Sequence, residues 1–130
     1  MRQMRYLYHL YSTTNMTQST ITINVALDND KVPQQISWKA TDSTADMAQQ
    51  SKAMMLSFWD GADKAAMRID LWTKEMMVDE MADFFYQTLI TMADTYNRAT
   101  HHDELTEDMK AFARSFYQKF TEHQSKQNKV

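Results

Sequence analysis

Cysteine is absent from the 130 residues, which removes disulfide frameworks and thiolate metal or redox chemistry. Glycine and proline occur once each, at Gly61 and Pro33. With one glycine there is no glycine-rich phosphate cradle, so dinucleotide-binding and P-loop readings are closed. Tight primed turns should also be few, and helices seldom broken. No apolar run approaches the roughly 18 residues of a membrane-spanning helix. A net charge of −3 provides no broad field for nucleic acid or anionic lipid. These absences point away from cofactors, membrane insertion and nucleic-acid partners.

What is present is an ordinary globular composition, 43% hydrophobic and 24% charged, in a chain long enough to bury a core. Twelve methionines stand out. They serve as flexible core filler or as an adaptable interaction surface. The organising stretch runs from Ala65 to Tyr96. There an alternating segment, Met67-Arg68-Ile69-Asp70-Leu71-Trp72, passes through a short polar joint into the longest apolar-periodic run.

Residues 1–15 read as a loose N-terminal extension or an amphipathic docking arm, too mixed for a signal peptide. A single domain is expected over 16–124, followed by a frayed tail over 125–130. Thr20 to Asp28 alternates strictly, with Ile21, Ile23, Val25 and Leu27 on one face, and predicts a half-buried strand. Asp28-Asn29-Asp30-Lys31 supplies turn chemistry. Its Asp-x-Asp spacing fails as a calcium loop, because Val32 occupies a ligand position and no glycine follows. Gln35 to Thr41 predicts a second strand, antiparallel to the first.

Thr41-Asp42-Ser43-Thr44 then offers N-cap residues. Met47, Ser51, Met54, Met55, Phe58 and Trp59 approximate a helical stripe, ending at Asp60 with Gly61 as a left-handed C′ residue. A β-branched residue at Gly61 should therefore cost on the order of 1 kcal/mol. A third strand is expected over Lys64 to Thr73, with Ala65, Met67, Ile69 and Leu71 inward and Arg68, Asp70 and Trp72 outward. Trp38 and Trp59 are expected in the core.

A helix should begin near Val78 or Asp79, burying Met81, Phe84, Phe85, Leu89, Met92, Ala93 and Tyr96. The last should begin near Asp103 and bury Leu105, Met109, Phe112, Ala113, Phe116 and Phe120. The resulting expectation is an α+β fold, β-β-α-β-α-α. Its three-stranded antiparallel or mixed sheet would have the order 2-1-3, with helices packed on one face.

Two clusters carry a chemical temptation. Asp79, Glu80 and Asp83 could do acid–base work, but negative charge in a first helical turn is explained by the helix dipole alone. His101-His102-Asp103-Glu104 contains metal-ligating residue types, yet adjacent histidines do not share a helix face and no H-E-x-x-H spacing exists. Neither amounts to a catalytic or metal site. Arg68, Asp70 and Trp72 remain. An amphipathic aromatic flanked by charges on an open sheet face has the composition of a partner-binding surface, the alternative being that Trp72 is covered by the N-terminal arm or by the tail of a helix.

The segments Ile36-Ser37-Trp38-Lys39-Ala40-Thr41-Asp42, Lys52-Ala53-Met54-Met55-Leu56-Ser57-Phe58-Trp59-Asp60 and Arg68-Ile69-Asp70-Leu71-Trp72-Thr73-Lys74-Glu75-Met76 resemble the gliding motility-associated protein GldC family of Bacteroidetes. Met92-Ala93-Asp94-Thr95-Tyr96 and Phe112-Ala113-Arg114-Ser115-Phe116 continue the resemblance. It covers roughly 16–124. Members of that family tend to start near Met16, and many have Gly-Asp where this chain reads His101-His102-Asp103.

The resemblance implies a small cytoplasmic accessory protein linked to gliding motility and the type IX secretion apparatus. It implies no enzymatic activity, cofactor or catalytic residue. A non-catalytic protein-interaction module, monomeric or homodimeric, fits these readings. The alternatives are a small-molecule carrier with a cavity beneath methionine-rich helices, or an enzyme using carboxylates near Asp79 to Asp83.

Overall fold

A computed structural model describes residues 16–127, so the N-terminal extension and the last three residues lie outside the described part. Five strands precede two helices: β1 (Ile21–Leu27), β2 (Pro33–Ala40), β3 (Gln49–Ser51), β4 (Ala53–Asp60), β5 (Ala65–Trp72), α1 (Val78–Thr100) and α2 (Asp103–Gln127). The chain divides into two compact units between Leu71 and Trp72.

In the first unit, β1, β2 and β3 form one sheet in that order, and β4 and β5 form a second. Period-two alternation explains the β1–β2 register. Ile23 opposes Trp38 and Val25 opposes Ile36, while Thr22 opposes Lys39 and Asn24 opposes Ser37. Apolar pairs thus share one face and polar pairs the other. The loop between them is built by Asp28, whose Oδ1 accepts from the Asp30 and Val32 amides at 2.8 and 2.9 Å. Lys31 adopts the left-handed conformation with φ 62°. Ile36 sits mid-strand in β2, between Val25 of β1 and Ser51 of β3, and is 1% exposed. Among the described residues it is the largest fully buried side chain.

The expected helix between the second and third strands does not form. Its residues become β3 and β4, separated by Lys52 alone. The reason lies at both ends of the run. Ser43 Oγ donates to the Ala40 carbonyl at 2.9 Å and accepts from the Ala45 amide at 3.0 Å. The Ala40 amide also reaches the Ala45 carbonyl at 2.7 Å. Side chains that could cap a helix here close a turn, the two uses of Ser and Asp that compete locally. At the other end, Asp60 Oδ1 accepts from the Ala62 and Asp63 amides at 2.9 and 3.2 Å. Asp60-Gly61 therefore opens a hairpin, and the short connection makes β4 and β5 antiparallel. An apolar run of this length is ambiguous between helix and strand, and the hairpin turn decides it.

Three further expectations change with it. Order 2-1-3 is replaced by 1-2-3 and 4-5. Gly61 is not at positive φ and a Cβ there would meet nothing within 4 Å, so the left-handed demand falls instead on Lys64, φ 51°. And the described part of the first unit contains no helix of its own. Ile21 is 70% exposed, Ile69 52%, Met67 61% and Trp59 69%, although all were expected inside. Trp38 is exposed too.

The second unit is a helical hairpin. Thr73 is buried in the joint ahead of it, where its carbonyl accepts from the Met76 amide at 3.1 Å. The Met77 amide donates to Glu80 Oε1 at 3.4 Å, using an acidic first turn to satisfy a free N–H. α1 ends on His101, which is left-handed (φ 57°, ψ 29°) and whose amide bonds the Asn97 carbonyl at 2.8 Å. After the short connection at His101 and His102, α2 runs on to Gln127.

Small residues make the seam between the helices: Ala82, Ala93, Thr106 and Ala113 are buried. Thr106 Oγ1 donates to Asn97 Oδ1 at 3.2 Å, Lys110 pairs with Asp94 at 2.6 Å, and the Tyr86 and Tyr117 rings lie 4.8 Å apart. Large apolar residues expected to be buried are displaced from this seam. Phe85 is 44% exposed, Leu105 51% and Phe112 62%.

Candidate functional site

The outward residues of β5 are the natural starting point. Arg68 and Asp70 stand two apart on the strand and so share a face. The guanidinium forks onto the carboxylate, with Nε to Oδ2 at 3.2 Å and Nη2 to Oδ1 at 3.1 Å. Their side chains keep 47% and 44% of their exposure. An ion pair this wet contributes at most about 1 kcal/mol to stability, so it is free to serve recognition.

Trp72 closes β5 and is 59% exposed. It lines an open apolar cleft of about 450 Å³ with Met77, Met81, Phe85 and Phe116. A second open cleft of about 380 Å³ follows along α2, between Phe112, Phe116, Phe120 and the rim residues Lys119 and His123. Phe116 belongs to both. The stripe that periodicity assigns to the core thus becomes in part a trough on the helical hairpin. Recurrent alanines at the seam were the available signal. Two helices meeting through alanine cannot also bury broad aromatic faces between themselves.

The two chemical clusters are occupied structurally. Asp79 Oδ1 accepts from the Glu80 amide at 2.9 Å, and Glu80 serves the Met77 amide, so both act at the start of α1. Asp83 faces Tyr117. Its hydrogen bond and negative charge, with smaller contributions from burial, Tyr86 and Asp79, hold the Tyr117 phenol above its ordinary ionisation range. His102 Nδ1 lies 2.8 Å from Tyr96 Oη, with the rings edge to face, while His101 terminates α1. Among the described residues no group of three or more His, Asp or Glu is placed to hold a metal ion. Nor is any helix long and apolar enough to cross a membrane.

No curated protein and no solved structure gives a significant match to the chain. A family profile does. The model of the gliding motility-associated protein GldC-like family matches residues 33–122, from the first residue of β2 to near the end of α2. That span takes in β2 to β5, the exposed β5 pair and nearly all of the helical hairpin, and this chain belongs to the GldC-like family.

Proposed function

We propose that this chain is a cytoplasmic accessory protein of bacterial gliding motility that works as a non-catalytic protein-interaction module, with Arg68, Asp70 and Trp72 on its partner surface. The family match supports the process. The observation that carries the molecular reading is the exposure of charge and large aromatic surface on β5, a composition suited to a recognition anchor. The titratable clusters serve the start of α1 and a contact between the two helices, a structural use that accounts for them without catalysis. The clefts are open troughs, better matched to the side chains of another protein than to an enclosed small molecule. The partners belong to the gliding and secretion machinery, and the protein supports that machinery without turning over a substrate.

The test is a deletion strain of the gliding bacterium that encodes this chain, complemented with wild type or with Arg68→Ala/Trp72→Ala. Wild type restores colony spreading and retains its partner in affinity purification. The double variant does neither, at unchanged melting temperature and abundance. Full spreading and retained binding by the double variant would refute this surface.

A further inference from the structure

The trough has a property that the β5 surface does not share: it runs along both helices of one hairpin, and the seam leaves it uncovered. Val78, Phe85 and Met92 on α1 are 71%, 44% and 47% exposed, and Leu105 and Phe112 on α2 are 51% and 62% exposed. They recur at intervals of seven, which keeps each set on one side of its helix. Phe116 joins the sets, because it lines the α1 cleft beside Val78 and Phe85 and also the α2 cleft beside Phe112. Both stripes therefore open on the same side of the hairpin. We propose that this face seats a second copy of the chain, so that two hairpins stack about a two-fold axis as a four-helix bundle.

Area is the first support. A fully exposed large apolar or aromatic side chain presents on the order of 150–250 Å², so the stripe and its half-buried neighbours offer about 600–800 Å². That approaches the roughly 800 Å² per partner of a standard stable interface. A helical pair whose own seam is made of Ala82, Ala93, Thr106 and Ala113 buries little itself, and a second pair supplies the missing layer.

Charge is the second. α1 opens with Asp79 and Glu80 and closes with Arg98; α2 opens with Asp103 and Glu104 and closes with Lys126. Two two-fold axes allow hairpins to stack face to face, one along the helices and one across them. Each sets every helix antiparallel to the helix opposite. Acidic first turns then lie over basic last turns in either case, in the sense the helix dipoles also favour. Helix ends of opposite sign thus meet in either arrangement, and a like copy supplies the area and the antiparallel order at once.

The experiment uses the full chain. Sedimentation or light scattering should give twice the 15.3 kDa chain mass at micromolar concentration, and Phe112→Glu should halve it while far-UV circular dichroism retains its helical signal. Because the chain has no cysteine, single thiols report the face directly. Phe112→Cys should be protected from a maleimide in the dimer and become reactive on dilution. Gln118→Cys, on the opposite side of α2, should react alike at both concentrations.

A monomer at all concentrations overturns the proposal. So does a dimer in which Phe112→Glu keeps the mass and Phe112→Cys stays reactive, since the contact then lies elsewhere. Protection of Phe112→Cys in a monomer, lost on deleting residues 1–15, would assign the face to that segment and overturn it too. None of these variants alters Arg68 or Asp70, so failure here leaves the charged part of the partner surface separately testable.

Discussion

His101→Gly should stabilise this protein, and the reason is local enough to calculate. His101 ends α1 at φ 57° and ψ 29°, and its amide bonds the Asn97 carbonyl at 2.8 Å. A side chain bearing a Cβ costs roughly 1–2 kcal/mol in that conformation. Glycine avoids the clash but gives back about 0.5–1 kcal/mol through its freer unfolded state. The backbone hydrogen bond survives the change, and the neighbouring Tyr96–His102 contact does not involve His101.

The net gain is about 0.5–1 kcal/mol, or a rise of about 3 °C in melting temperature for a chain near this size. His101→Val should move the other way by about 1 kcal/mol, since a β-branched residue is worse still in the left-handed region. Thermal unfolding followed by far-UV circular dichroism decides the matter. A glycine variant that melts at or below wild type, or a valine variant that matches it, would refute the argument that strain at this cap is stored in the folded state.

Burial makes a second contrast. Ile36→Ala, at 1% exposure, should lose about 2–5 kcal/mol in urea unfolding, whereas Ile21→Ala at 70% exposure should lose well under 1; equal losses would contradict the sheet register. Tyr117 gives a pH signature. Its folded pKa is raised from 10.0, chiefly by hydrogen bonding to Asp83, so the stability it contributes is intact below pH 10.0 and fades as pH climbs through the raised value. The ultraviolet tyrosinate transition above the ordinary range should vanish in Tyr117→Phe and move back towards that range in Asp83→Asn. A late transition unaffected by both changes would place the shifted phenol elsewhere.

The outward triplet on β5 shows how far a sequence pattern reaches towards a site. Alternation put Arg68, Asp70 and Trp72 on one face of a strand, and they do occupy alternate positions of β5 with exposed side chains. What alternation left out was the forked pairing of Arg68 with Asp70 and the participation of Trp72 in a cleft with Met77 and Phe85. The trough itself was hidden, because a periodic stripe of phenylalanines looks the same whether a helix, a sheet or another chain covers it.

Local chemistry by itself determined β1, β2, β5, α1 and α2, because alternation, acidic first turns and unbroken helical stripes are complete within each segment. It also carried the family resemblance that the profile match establishes. Only the tertiary structure decided the fate of residues 47–60. Met54, Met55, Phe58 and Trp59 suit a helix stripe or a strand equally, and the choice was made by turns at Ser43 and Asp60 that bring distant backbone alongside. Which apolar faces are covered was likewise beyond local reach. Hydrophobicity states that a face must leave water, but the layer that covers it is a property of the assembled chain.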